Sequence, residues 1–225
     1  MRYIAKGIGP YEITKRPAPA TSKTGRRAWS TLSKQSIYRM FFDEQCGLCG
    51  YSEISLEGKF KVSDRELDLG SHFEHIEPIR LAPNKTFVHS NIILNAIGHN
   101  KELQLRKEDV FGGKAKLDWY NHATFISPTQ PDCERFFYYS TSGFIHPKHS
   151  LSNPDKLRAE TTISKLNLNS PYLVRLRSEW LKQLEDVILT LQDKEGIRQL
   201  AEIELGLTNG QLRPFYSAQK QMLGV

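Results

Sequence analysis

The apolar positions of this chain change period along its length. From Trp29 to Phe42 the spacing of Leu32, Ile37, Met40 and Phe41 predicts a short helix that delivers the chain to Cys46. Residues 46 to 110 instead carry short apolar runs punctuated by Gly and Asn. Residues 118 to 147 read as irregular β structure around Phe136, Phe137, Tyr138 and Tyr139, between Pro131 and Gly143. After Pro154 the pattern turns helical. Leu173, Leu176, Trp180, Leu181, Leu184, Val187, Ile188 and Leu191 follow helical spacing, with Pro171 near the start. Further helices are expected from about Lys194 to Leu205 and from about Arg213 to Met222, separated by Thr208-Asn209-Gly210. Upstream of all this, Pro17, Pro19 and the stretch Thr21 to Arg27 read as an extended basic connector. The expected class is α+β. Residues 1–45 form an N-terminal extension and helix, 46–150 a core with a following β-rich segment, and 151–225 a helical C-terminal module.

Composition adds little to that division. A chain of 225 residues that is 39% hydrophobic can bury a core. Its net charge of +6, from 31 Lys and Arg against 25 Asp and Glu, favours a polyanionic partner without deciding for one. Three cysteines cannot all pair, and two of them stand as Cys46-Gly-Leu-Cys49, which is not a secreted disulfide framework. The first residues hold no apolar run of signal-peptide length, and no segment approaches the ~20 apolar residues that span a bilayer. The expectation is a cytoplasmic protein with no membrane association.

The chemistry concentrates in Ser71-His72-Phe73-Glu74-His75-Ile76-Glu77-Pro78 and in Asn91-Ile92-Ile93-Leu94-Asn95-Ala96-Ile97-Gly98-His99-Asn100-Lys101. Hydrolysis of a phosphodiester needs a base for water, a cation to stabilise developing charge, and groups that hold both in line. The first string offers a carboxylate and an imidazole side by side. Neighbours in a strand point to opposite faces, so Glu74 and His75 reach one site only where the strand ends or bends, and Pro78 suggests such an ending. The second string adds the amides of Asn91 and Asn100 and the imidazole of His99. His72 shares a strand face with Glu74 and is a candidate for phosphate, metal or a structural role. Arg80, Lys101, Lys114 and Lys116 are candidates for gripping neighbouring phosphates.

Glu-His-Ile-x-Pro followed by Asn, then by Asn nine positions on and a Lys, resembles the ββα-metal (HNH) nucleases over residues 72 to 101. The resemblance implies a ββα-metal core in which Glu74 binds the metal, His75 is the general base, Asn91 orients it, and Asn100, with His99 as its rival, is a second ligand from the helix. It implies Mg²⁺, or Mn²⁺, in an oxygen-dominated shell. Many members close a structural zinc site with two cysteine pairs. Here Cys46 and Cys49 match the first pair, while the second would fall at Ala96 and His99, so a complete zinc site does not follow and a reduced pair beneath the first strand is expected. The start MRYI-K, Cys-x-x-Cys before Tyr51-Ser52-Glu53, Phe125-Ile126-Ser127-Pro128, the Phe-Tyr-Tyr run ending in Gly143, and Leu166-Asn167-Leu168-Asn169 are similar to the PtuB-like HNH component of Septu and retron-linked anti-phage systems. That similarity implies an SMC- or ABC-type (PtuA-like) ATPase partner, and in retron-linked versions a reverse transcriptase with its RNA–DNA product. Besides a nuclease acting on DNA or RNA, two other functions stay open: an HNH-fold nucleic-acid-binding adaptor without activity, and an RNA-cleaving toxin subunit.

Overall fold

The structure, a computed structural model, describes residues 1–62, 65–191 and 193–225. It is α+β. Three short helices, α1 (Tyr11–Thr14), α2 (Ser22–Ser30) and α3 (Gln35–Glu44), precede two antiparallel hairpins, β1 (Lys59–Val62) with β2 (Arg65–Asp68) and β3 (Ser71–His75) with β4 (Ile92–Ala96). The one-turn helix α4 (Gly113–Lys116) and a third hairpin, β5 (Phe137–Tyr139) with β6 (Ile145–Pro147), follow. Four helices close the chain: α5 (Asn153–Lys165), α6 (Pro171–Ile188), α7 (Lys194–Leu205) and α8 (Tyr216–Leu223).

One apolar core draws on all three expected segments, from Met1, Ile13, Ile37 and Phe41 through Ile92, Ile93 and Leu94 to Leu173, Leu181 and Phe215. Every residue of β4 is buried, so this strand is covered on both faces and is apolar throughout except for Asn95. β3 pairs with it in register His72 to Asn95 and Glu74 to Ile93. The helical tail forms as its apolar period predicts. Ser170 caps α6 by accepting from the Leu173 amide, Pro171 occupies the first turn, and Leu173, Leu181 and Leu184 are buried. A small second cluster of Leu184, Ala201 and Leu223 ties α6, α7 and α8 together.

The segment Leu166-Asn167-Leu168-Asn169 joins this tail to the rest. Both leucines are fully buried. The Asn167 amide donates to the carbonyls of Glu108 and Val110 (2.9 and 2.8 Å), and Asn169 accepts from the Ile145 amide and donates to its carbonyl (2.8 and 2.9 Å).

Three expectations differ from the fold. The stretch Thr21 to Arg27 is helical rather than an extended connector, because Thr21 and Thr24 cap each other's backbone amides reciprocally and start α2. The helix expected from Trp29 begins only at Gln35, after α2 ends at Ser30. Finally, β4 leads into a short 3₁₀ turn, Lys101–Gln104, and not an α-helix: Ile97 and Asn100 both take positive φ (71° and 61°), which breaks the helical path before it starts.

Candidate functional site

The loop between β3 and β4 is built around Asn91. Its side chain accepts from the Glu77 amide (2.8 Å) and donates to the carbonyls of Glu77 (3.0 Å) and Lys85 (3.3 Å), which spends both of its donors and one acceptor position on backbone. The Asn91 carbonyl also receives the Ile76 amide at 2.9 Å. The loop so held places the Thr86 carbonyl 3.0 Å from His75 Nε2. A carbonyl only accepts, so Nε2 carries the proton and Nδ1 keeps a lone pair. His75 is only 8% exposed. Burial pushes its pKa below the ordinary 6.5, opposed only in part by the Thr86 carbonyl and by Glu74, so the ring is neutral at pH 7. A neutral imidazole with a free nitrogen is a proton acceptor.

The ring that carries it is flanked by aromatics. The Trp29 ring stands edge-on to His75 with centroids 4.6 Å apart, and also contacts Phe73 and Phe87. α2 lies this close because Gly25 has no side chain. A Cβ there would meet Ile79 Cγ2 and Thr86 Oγ1 at 2.8 Å.

Glu74 faces the other way. Phe73 and His75 share the Trp29 face of β3, while His72 and Glu74 point to the opposite side. The strand ends at His75 without turning the two side chains to one point. Glu74 Oε1 lies 2.9 Å from Lys116 Nζ, and Oε2 lies 3.5 Å from His72 Nε2. His72 is fixed by its Nδ1, 2.7 Å from the Ile97 carbonyl. Burial alone would raise the Glu74 pKa, but His72 and Lys116 outweigh it and hold the carboxyl below the ordinary carboxylate value. Lys116 is 2% exposed and also reaches the carbonyls of Ile76 (3.2 Å) and His75 (3.4 Å). It arrives there on α4, which is bracketed by two residues of positive φ, Gly112 (65°) and Leu117 (54°). Leu117 is strained in that region, at a cost of about 1–3 kcal/mol. Gly112 and Gly113 let the backbone pass directly over the strand: a Cβ would come within 2.6 Å of Asn95 Oδ1 and 2.4 Å of Glu74 Oε2.

The remaining expected residues lie outside this pair of clusters. Asn100 is exposed, in the left-handed turn before the 3₁₀ segment that begins with Lys101. His99 lines an open cleft of about 850 Å³ together with His72, Ser71, Tyr38, Lys34 and Arg39. Lys114 pairs with Glu102 (3.1 Å) and Arg80 with Asp118 (2.8 Å). Lys116, expected on the surface, is buried because its charge is matched by Glu74. The cysteines are free thiols. Cys49 is buried under β4, where its Sγ donates to Asn95 Oδ1 (3.1 Å) and accepts from the Ala96 amide (3.3 Å).

The donors for a divalent cation do not fit in this arrangement. Glu74 has a cation on one oxygen, an imidazole beside the other and the Gly113 backbone packed against it. Among the described residues no three His, Cys, Asp or Glu side chains gather at one point. Trp29 and Thr86 also belong to the site, although neither stands in a motif. One acts through a long-range ring contact and the other through its backbone, so neither leaves a local signal. No protein-family model matches this chain, and no curated protein does. Among the described residues no helix is long and apolar enough to cross a membrane.

Proposed function

We propose that this chain is an HNH-type nuclease in a closed resting arrangement. The observation that carries the reading is the chain of contacts Asn91–loop–Thr86–His75, which leaves His75 neutral with Nδ1 as its only proton acceptor. In the reaction His75 Nδ1 takes a proton from water. The oxygen attacks phosphorus, the bond to the leaving sugar oxygen breaks, and that oxygen takes up a proton from solvent. General-base assistance of this kind is worth about 10²–10⁴-fold in rate. The cleft beside β3 suits a nucleic-acid strand. Lys34 and Arg39 offer positive charge, His99 offers an exposed imidazole, and Tyr38 offers an aromatic face.

Two covers lie over the reacting groups, Trp29 on His75 and Lys116 on Glu74. A closed arrangement is what an effector subunit restrained by a partner needs. Together with the resemblance to PtuB-like nucleases, this supports an anti-phage complex with an ATPase subunit. The direct test is cutting of supercoiled plasmid and of total RNA by wild type and by His75→Ala, with and without EDTA. Loss of cutting in the variant is expected, and equal cutting by both would end the assignment. The Glu74–Lys116 pair favours a second reading, a nucleic-acid-binding adaptor without activity. Binding that survives EDTA, with no cleavage under any divalent ion, would select it.

A further inference from the structure

We infer that the ammonium of Lys116 stands in for a divalent cation at Glu74, so that in its resting arrangement the chain holds no metal there. The inference rests on the HNH-type reading only for the expectation of a cation at this carboxylate.

Four observations carry it. Lys116 Nζ sits 2.9 Å from Glu74 Oε1, at ion-pair distance, with its side chain wholly buried. Its other contacts are carbonyl oxygens, of Ile76 at 3.2 Å, His75 at 3.4 Å and Leu117 at 3.5 Å, so the ammonium is surrounded by the oxygen ligands a hard cation would choose. The turn that delivers it is bracketed by positive φ at Gly112 and Leu117, and the strained Leu117 directly follows Lys116. Finally, the Gly113 backbone packs so closely on the carboxylate that a Cβ there would come within 2.4 Å of Glu74 Oε2. A divalent ion approaching Glu74 would put two positive centres on one carboxylate within a buried site, and Coulomb repulsion there is poorly screened.

The test is titration of the full chain with Mn²⁺, read by electron paramagnetic resonance and by broadening of the His72 and His75 imidazole signals. Wild type is expected to show no saturable binding below about 1 mM and no broadening of either ring. Lys116→Met is expected to bind one Mn²⁺ at least about tenfold more tightly, and Glu74→Gln in that background to abolish the gain. The inference is overturned if wild type binds Mn²⁺ in a manner lost on Glu74→Gln, or if folded Lys116→Met gains nothing. The wild-type arm decides even if Lys116→Met fails to fold. Because the titration reads the carboxylate and not cleavage, a chain that cuts nothing would leave the inference standing. Mn²⁺ seated on Glu74 of wild type would end it without touching the nuclease reading.

Discussion

His75 and Thr86, eleven positions apart, are joined by a 3.0 Å contact between Nε2 and a backbone carbonyl. That contact fixes the tautomer and leaves Nδ1 as the ring's basic nitrogen. Both consequences depend on the loop staying where Asn91 holds it.

Asn91→Ala removes three hydrogen bonds to backbone, each worth about 1 kcal/mol net. The variant is expected to lose about 3 kcal/mol in urea denaturation. The His75 signals should shift as its carbonyl partner moves. A loss under about 0.5 kcal/mol with unchanged imidazole shifts would show that the loop holds itself.

Stability should depend on pH through His75. Its folded pKa lies below the 6.5 of an unfolded chain, so the unfolded state binds more protons as pH drops. Stability present above 6.5 is therefore lost progressively as pH falls below it towards the folded pKa. Glu74, Glu53 and Glu44 are also lowered in the folded chain, but from 4.5, so their contribution disappears only in more acid solution. Denaturation midpoints of wild type and His75→Gln between pH 5 and 7 check this, and parallel profiles would contradict it.

Trp29→Ala strips the cover from His75. Trp29 is half-buried, so the expected cost is about 2 kcal/mol, below the 3–5 of a fully enclosed tryptophan. Diethyl pyrocarbonate should modify His75 several-fold faster in the variant, measured by mass spectrometry of the peptide that contains it. An unchanged rate would mean that another surface shields the ring.

Glu74 and Lys116 should behave as a coupled pair. Each single replacement, Glu74→Gln or Lys116→Met, leaves its partner's charge buried and should cost about 3–5 kcal/mol. The double variant should cost far less than the sum of the two. A double-mutant cycle by chemical denaturation measures the coupling, and additive losses would exclude it.

Much of the fold was legible in the sequence. The run from Leu173 to Leu184 marks α6 because its spacing matches one face and Ser170 and Pro171 mark its start. The α+β class follows from the same change of period. The reciprocal cap of Thr21 and Thr24 is masked in the sequence because Pro17 and Pro19 beside a basic run look like loop. At the site, adjacency in sequence misled. Glu74 and His75 are neighbours in the chain but occupy opposite faces of β3, each with its own partners. Lys116 read as a surface cation because nothing local reports that a carboxylate 42 positions earlier awaits it. Burial of a charge is decided by its partner, and partners at long range leave no periodic trace.

The connector Leu166–Asn169 has a consequence for how the molecule comes apart. Its Leu166 carbonyl receives the Gly112 amide at 2.7 Å, Asn167 grips Glu108 and Val110, Asn169 grips Ile145, and the Tyr172 amide donates to Asp109 at 2.8 Å. The turn bearing Lys116 and the first turn of α6 are thus stitched together by one backbone pair and by side chains that each bond a backbone group across the seam. Neither can fray alone, so the amides of Gly112, Ile145 and Tyr172 should exchange with solvent together, as one cooperative unit.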